Sequence, residues 1–299
     1  MPRMFRRGRF WIQLGVVVAL MAFGGLLINN ITVNLIRTGL GLDFGWLWRP
    51  AGFALAETAL PYAPTDSYAW ALVIGWMNSL KVILVGLLLA TMLGVAAGAA
   101  RSSRNRLLRS LSGGYVALIR QVPLLLQLLF WYSVALGLPN TPVDGLIHFS
   151  TQGIRLLGLN LSVEFCSVLT GLVVFTGASI AEIVRGGINA VSRGQWEAFR
   201  SLGLSEGLGL RRIVLPQALP AILPALTSQY LNLAKNSTLA IAVGYADLYA
   251  VSDTTITQTG RAIEGFLLLL LSFLLLNLIL SGGMALMNRV VLGRLQRSR

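Results

Sequence analysis

Charged residues are scarce in this chain: of 299 residues, 12% are Asp, Glu, Lys or Arg, against roughly 25% in soluble domains. Together with 55% hydrophobic residues and a mean hydropathy of +0.72, that scarcity excludes an ordinary water-soluble domain and indicates an integral membrane protein. Cysteine is almost missing. The single thiol, Cys166, lies in an apolar run and excludes any disulfide within the chain. No Gly-x-x-x-x-Gly-Lys-Ser/Thr stretch occurs, so no phosphate-cradling loop is expected and the chain should not hydrolyse ATP itself. A catalytic triad and a metal-ligand cluster are lacking too. The one histidine, His148, has no second ligand near it and reads as a surface residue.

What is present is length of apolar chain. Runs able to cross about 30 Å of hydrocarbon fall near 10–28, 71–99, 122–138, 161–184, 217–246 and 264–288, which makes six spans. The first follows Arg3, Arg6, Arg7 and Arg9 but is longer than a signal-peptide core, and Asn29-Asn30 follow with no small-residue cleavage signal. We read it as an uncleaved helix.

The net charge of +13 does not describe a nucleic-acid surface, because the arginines gather at the ends of apolar runs. Segments on one side hold the N-terminal arginines, then Arg101, Arg104, Arg106, Arg109 and Arg120, then Arg185, Arg193, Arg200, Arg211 and Arg212, then Arg289, Arg294, Arg297 and Arg299. The other side holds Arg37, Arg49, Arg155 and Arg261 beside Asp43, Glu57, Asp66, Asp144, Asp247 and Asp253. The positive-inside rule therefore puts both termini in the cytoplasm. Trp46, Trp48, Tyr62, Tyr68, Trp70 and Trp76 crowd the outer face before the second span, as an interfacial belt would. The outer segment 29–69, broken by Gly39-Leu40-Gly41, Pro50, Pro61 and Pro64, either lies irregularly on the surface or meets an external partner.

Between the fourth and fifth runs lies a polar loop, 192–216. Ser192 and Gln195 have capping-box spacing for a short helix through Trp196, Ala198, Phe199 and Leu202, stopped at Gly203. A second short helix from Ser205 to about Leu215 would end where Pro216 begins the next span. Physical reasoning leaves two readings level: a helical hairpin that plugs a groove on another protein, or an amphipathic helix on anionic headgroups through Arg200, Arg211 and Arg212.

The spacing Glu197-Ala198-Phe199, three residues, Gly203, nine residues, Ile213-Val214-Leu215-Pro216 resembles the cytoplasmic coupling loop of permease subunits in ATP-binding-cassette importers. Tyr115 to Gln127, with Arg120 and Pro123, and Lys235-Asn236-Ser237-Thr238-Leu239 are similar to the polar amino-acid branch of that family. The likeness covers roughly 70–288. The added first helix and outer segment resemble the larger permeases of the general L-amino-acid and glutamate/glutamine/aspartate type.

The resemblance implies an all-α membrane protein: a five-helix importer core plus one N-terminal helix. It divides the chain into a basic end and first helix (1–28), an outer segment (29–69), a core (70–288) and a basic cytoplasmic tail (289–299). It also implies a multi-pass subunit of the inner (plasma) membrane that moves amino acids. The expected partners are two ATPase subunits, a second permease that is different or identical, and an extracytoplasmic amino-acid-binding protein, within membrane lipid and without nucleic acid. No cofactor is expected on this chain, ATP-Mg being held by the partner ATPase. Glu197, Ala198, Phe199, Gly203, Ile213, Leu215 and Pro216 carry over as ATPase-coupling residues. Phe199 departs from the family's usual Ala, which would demand a roomier groove on the ATPase.

Polar groups deep in apolar runs mark transport paths. Lys235, Asn236, Ser237 and Thr238 interrupt the run after Pro220 and Pro224, as broken helices do in transporters. Lys235 would meet a substrate carboxylate, or else snorkel outward or pair with Glu164. Arg120 and Gln127, at a Pro-started span, join the candidate path, with a cytoplasmic anchor as the alternative for Arg120. Glu182 and Arg185, spaced i,i+3, should pair with each other. Asn78 and Lys81 are expected to face outer water. The competing class is an ion-coupled secondary transporter of small polar solutes, disfavoured because the halves do not repeat and Glu182 is the only candidate coupling acid.

Overall fold

The computed structural model describes residues 3–37, 41–58, 60–138, 147–150, 153–156 and 159–297. Gly39-Leu40, Asp144 and Arg299 lie outside these residues, as does the side chain of His148. The chain divides into two units, Met1–Trp46 and Leu47–Arg299.

The first unit carries one helix, α1 (Arg3–Arg37). Its apolar stretch Trp11–Ile31 is exposed all round, the character of a helix solvated by lipid. It continues nine residues past the expected end at Ile28, because Asn29-Asn30 lead into Ile31 and Val33 with no Pro or Gly to stop it.

The second unit holds the bundle. Its long helices are α2 (Tyr68–Arg101), α5 (Val163–Asn189), α8 (Leu215–Asn236) and α10 (Ala262–Arg297). Shorter ones are α3 (Arg106–Gln121), α4 (Leu124–Leu136), α6 (Arg193–Ser201), α7 (Glu206–Gly209) and α9 (Leu248–Thr259). A three-stranded antiparallel sheet, β1 (Ile147–Ser150), β2 (Gly153–Leu156) and β3 (Leu159–Ser162), precedes α5. This sheet was not anticipated; its strands are four residues long, too short for alternation to stand out among apolar runs. At the other end α10 runs on to Arg297, so the basic tail expected from 289 is helical.

Starts of helices are fixed by side-chain caps. Ser67 Oγ accepts from Trp70 N at 3.2 Å, Ser162 Oγ from Phe165 N at 3.0 Å, and Asp247 Oδ1 from Ala250 N at 2.8 Å. In the interior, α5 lies at the centre and packs on α2, α3, α4 and α8. Its approach to α2 rests on small residues. A Cβ at Gly94 would sit 2.5 Å from Ile180 Cβ, and one at Gly98 2.7 Å from the Ala181 carbonyl oxygen.

Among the described residues, four helices are long and apolar enough to cross a membrane, including α1, α2, α5 and α10. The pair α3 and α4, bent by 106°, adds a fifth if it is one span. The fifth expected run, 217–246, is not a uniform apolar helix: α8 ends at Asn236, within the expected polar interruption, a 3-10 stretch follows from Ser237 to Val243, and Gly244 turns the chain at φ +79°. Its prolines at 220 and 224 are carried inside α8 and do not break it.

Candidate functional site

The loop after α5 folds as a short helix braced against the bundle. α6 starts at Ser192, but the capping box does not form: no side-chain cap bond is made there, and Gln195 Oε1 instead accepts from Gln217 Nε2 of α8 at 3.0 Å. The end follows the predicted stop. Gly203 has φ +71°, its N–H bonds Arg200 O at 2.9 Å, and Leu204 N–H bonds Phe199 O at 3.2 Å. That pair of bonds is a Schellman closure, which needs the left-handed residue that glycine supplies without a Cβ penalty.

After the turn the chain differs from the expected hairpin. α7 is a single turn capped by Ser205, and Leu210–Val214 winds as a wider π turn straight into α8. Pro216 falls at the first turn of α8, where its missing N–H costs nothing. The expected second helix, Ser205 to about Leu215, is therefore present as α7 and the π turn, but it is continuous with α8 instead of separate from it.

The two faces of α6 divide clearly. Gly194, Glu197, Ala198, Ser201 and Leu202 are exposed, Leu202 to 75%. Phe199 is completely buried, its ring 5.6 Å from that of Trp196 and so close to Gly209 that a Cβ there would lie 2.4 Å from Phe199 Cδ2. This corrects the expectation for Phe199: the ring fills the space between α6 and the π turn, which Gly209 leaves open, and does not face a partner's groove. Ile213 and Leu215 likewise pack inward against the bundle core. Of the candidate coupling residues, Glu197, Ala198 and Gly203 are exposed, Pro216 is half-buried, and Phe199, Ile213 and Leu215 hold the loop in place.

Charges complete the brace. Arg200 Nε donates to Glu206 Oε1 at 2.9 Å, and Arg104 Nη2, from the turn between α2 and α3, lies 3.0 Å from the same oxygen. The hydrogen bond from Arg200, aided by the charge of Arg104, holds the Glu206 carboxyl below its ordinary range against the smaller effect of burial. Glu197 makes no ion pair among the described residues, so the exposed face carries one free carboxylate beside two apolar side chains. Deeper in, Arg101 of α2 joins the expected pair of Glu182 with Arg185. Arg101 and Glu182 are 81 residues apart, a separation at which helix spacing gives no signal.

The candidate transport residues do not form one constellation. Arg120 is exposed at the end of α3. Gln127 is buried and its Nε2 donates to Ile119 O and Val122 O, both at 2.9 Å, so it pins the bend between α3 and α4 instead of lining a path. Ser237 Oγ donates to Ala234 O at 2.9 Å and Thr238 Oγ1 to Lys235 O at 2.8 Å, which uses both hydroxyls to close the end of α8. Asn236 is half-buried, and Lys235 is exposed with no ion pair, to Glu164 or otherwise, among the described residues.

A second polar cluster went unrecognised. Asn78, expected in outer water, is fully buried, its Nδ2 donating to Glu57 O at 2.9 Å and Ala246 O at 2.8 Å. Lys81 pairs with the Glu57 carboxylate, which also accepts from Ser162 Oγ, and Lys81 Nζ lies 4.3 Å from the centre of the Phe165 ring. The missed signal was available: Glu57 is the only acid between Asp43 and Asp66, in a stretch otherwise free of charge after Arg49.

Comparison with known proteins agrees with this arrangement. Residues 90–292 match the family model described as "binding-protein-dependent transport system inner membrane component". The general L-amino acid transport system permease protein AapQ of Rhizobium johnstonii is 32% identical over 84% of this chain and 84% of its own. The glutamate/glutamine/aspartate/asparagine transport system permease protein BztB of Rhodobacter capsulatus is 32% identical, covering 94% of this chain and 93% of its own. A solved structure of an amino acid ABC transporter with histidines aligns at TM-score 0.60 and 27% identity over 74% of this chain and 94% of that one. With the model spanning both sides of the braced loop and the relatives spanning most of the length, the chain belongs to the family of inner membrane components of binding-protein-dependent transport systems, as a multi-pass, non-enzymatic permease subunit.

Proposed function

We propose that this chain moves amino acids inward through the inner membrane, both termini facing the cytoplasm, with ATP-Mg bound and hydrolysed on two partner ATPase subunits that grip α6. A second permease, different from this one, completes the pore, and an extracytoplasmic binding protein delivers the substrate. Support for the substrate class comes from the relatives, which are described as amino-acid permease proteins; that description also favours this reading over an ion-coupled carrier.

The observation that carries the docking role is the outward stripe of α6. Glu197, Ala198 and Leu202 stand exposed on a nine-residue helix whose other face is locked to the bundle by Phe199, Trp196 and the Glu206 clasp. A helix so braced passes a push from a partner to α5 and α8 as a rigid body.

Gly203→Val tests the assignment. A β-branched residue at φ +71° adds about 1–2 kcal/mol of backbone strain, with no clash to confuse the result because nothing lies within 4 Å of the would-be Cβ. The variant should insert at normal levels yet lose ATP-driven uptake in proteoliposomes, with ATP hydrolysis no longer following the loaded binding protein. Coupled uptake equal to the parent's would sink the docking role.

A further inference from the structure

Within the second unit, the segment before α2 is not an irregular surface loop. Ala51 N–H bonds Asp66 O and Gly52 N–H bonds Pro64 O, each at 2.8 Å, and Tyr68 N–H bonds Arg49 O at 3.1 Å. These bonds close residues 51–66 into a strap with a fixed base. Phe53 reinforces that base: its carbonyl accepts from Tyr62 Oη at 2.8 Å and its ring contacts Tyr62 and Tyr68.

The described part of the tip is anchored differently. Leu55 packs on the cluster of Ala51, Ala71 and Val251, but Ala54, Ala56 and Thr58 are exposed and small and add little apolar hold. The polar ties converge on Glu57: its backbone carbonyl takes Asn78, and its carboxylate takes Lys81 and Ser162. Under the strap is a cavity of about 360 Å³, walled by Phe53, Leu55 and Ala56 on one side and by Ile241, Gly244 and Asp253 on the other. That volume falls in the range of small-molecule sites, and its lining stops at Ala56, one residue short of Glu57, without reaching Lys81 or Ser162. Ile241 and Gly244 continue the 3-10 stretch that begins at Ser237, next to Lys235.

Lys81 and Ser162 make a carboxylate receptor whatever brings the carboxylate. The ammonium is seated over the Phe165 ring, and the hydroxyl is held in place by its cap bond to Phe165 N–H. Glu57 presents to it the same two-oxygen anion that an amino acid carries at its α-carbon.

We propose that the 51–66 strap is a displaceable lid, with Glu57 standing in a carboxylate-binding site, formed by Lys81 and Ser162, that takes the carboxylate of an arriving amino acid. The inference rests on the amino-acid reading above and adds to it a residue pair that receives substrate and an internal competitor for that pair. Exchange of one carboxylate for another keeps Lys81, a third exposed, paired throughout.

The signs of two substitutions decide. If Glu57 merely fastens the strap, Glu57→Gln and Lys81→Met break one fastening and shift binding in the same direction. If Glu57 competes with substrate, they shift it in opposite directions. The assay uses the complete assembly in nanodiscs and equilibrium binding of radiolabelled L-glutamate, L-glutamine, L-aspartate and L-asparagine, with the α-carboxamides of the same four as controls. Glu57→Gln should tighten the acids by about three- to tenfold and leave the amides unchanged, while Lys81→Met should weaken the acids by at least about tenfold. Shifts of the same sign, or an equal gain for acid and amide, overturn the proposal while parental uptake leaves the transport function standing. An assembly that takes up none of the four amino acids removes the transport reading and this one together. Should Lys81→Met fail to assemble, Glu57→Gln and Glu57→Asp judged against the amides decide alone. Tighter binding confined to the acids, larger for Gln than for Asp, supports displacement, and any other pattern overturns it.

Discussion

At the scale of single residues, the coupling loop shows how one large side chain can be misplaced by sequence reasoning. Phe199 is a large side chain in a stretch expected to meet a partner. A partner-facing ring would have to be matched on another protein. Instead the chain matches it internally, since Gly209 offers the ring a space that any Cβ would occupy. Glu206 acts on the same element by charge. Its carboxyl titrates below the usual range because Arg200 donates to it, so the clasp persists at every pH above the unfolded value of about 4.3 and loosens only as pH falls through the lowered folded value. We expect a spin label at Leu202→Cys, in a Cys166→Ser background, to keep constant mobility from pH 8 to about 5 and to loosen only under stronger acid. Glu206→Gln should be loose throughout. Loosening of the parent between pH 8 and 6 would show that a different group controls the loop.

At the scale of elements, legibility followed the kind of force involved. Long apolar helices were readable because burial in lipid imposes length and composition together: α2, α5 and α10 fall where the runs predicted. The stop at Gly203 was readable because only a local backbone rule sets it. The end of α8 at Asn236 falls at the polar interruption read at 235–238, whereas the π turn that joins α7 to α8 and the short sheet before α5 left no comparable signal in the sequence. Side-chain roles suffered most. Gln127 and Asn78 carry polar atoms in apolar runs, a pattern shared by transport residues and by residues that pin backbone carbonyls. Only the partners at Ile119, Val122, Glu57 and Ala246 tell the two apart. The packing of α2 on α5 supplies a test at this scale. Gly94→Leu drives a branched side chain into Ile180, where the would-be Cβ separation is already 2.5 Å, and should destabilise the bundle by about 3 kcal/mol or more. Thermal unfolding in detergent measures it. A midpoint equal to the parent's would mean that α2 and α5 are not held by this contact.

At the scale of the whole molecule, the number of crossings in the second unit follows from charge and length together. On the orientation proposed above, the segment before α2 lies outside and the end of α10, with Arg289, Arg294 and Arg297, lies inside, on opposite sides of the membrane. Opposite sides require an odd number of crossings. α2, α5 and α10 give three; if the bent pair α3 and α4 is one span it gives a fourth, and that count then requires α8 to cross as well. Its 22 residues rise about 33 Å, enough for the hydrocarbon core, although its prolines and amides keep it less apolar than the other spans. Crossing by α8 puts Arg211 inside and Asp253, exposed on α9, outside. With Cys166 replaced by Ser, a membrane-impermeant maleimide should label Asp253→Cys in intact cells. Arg211→Cys should react only after the membrane is opened. If Asp253→Cys reacts only from within, α8 does not cross, and a strap on the outer surface could not share a cavity with α9.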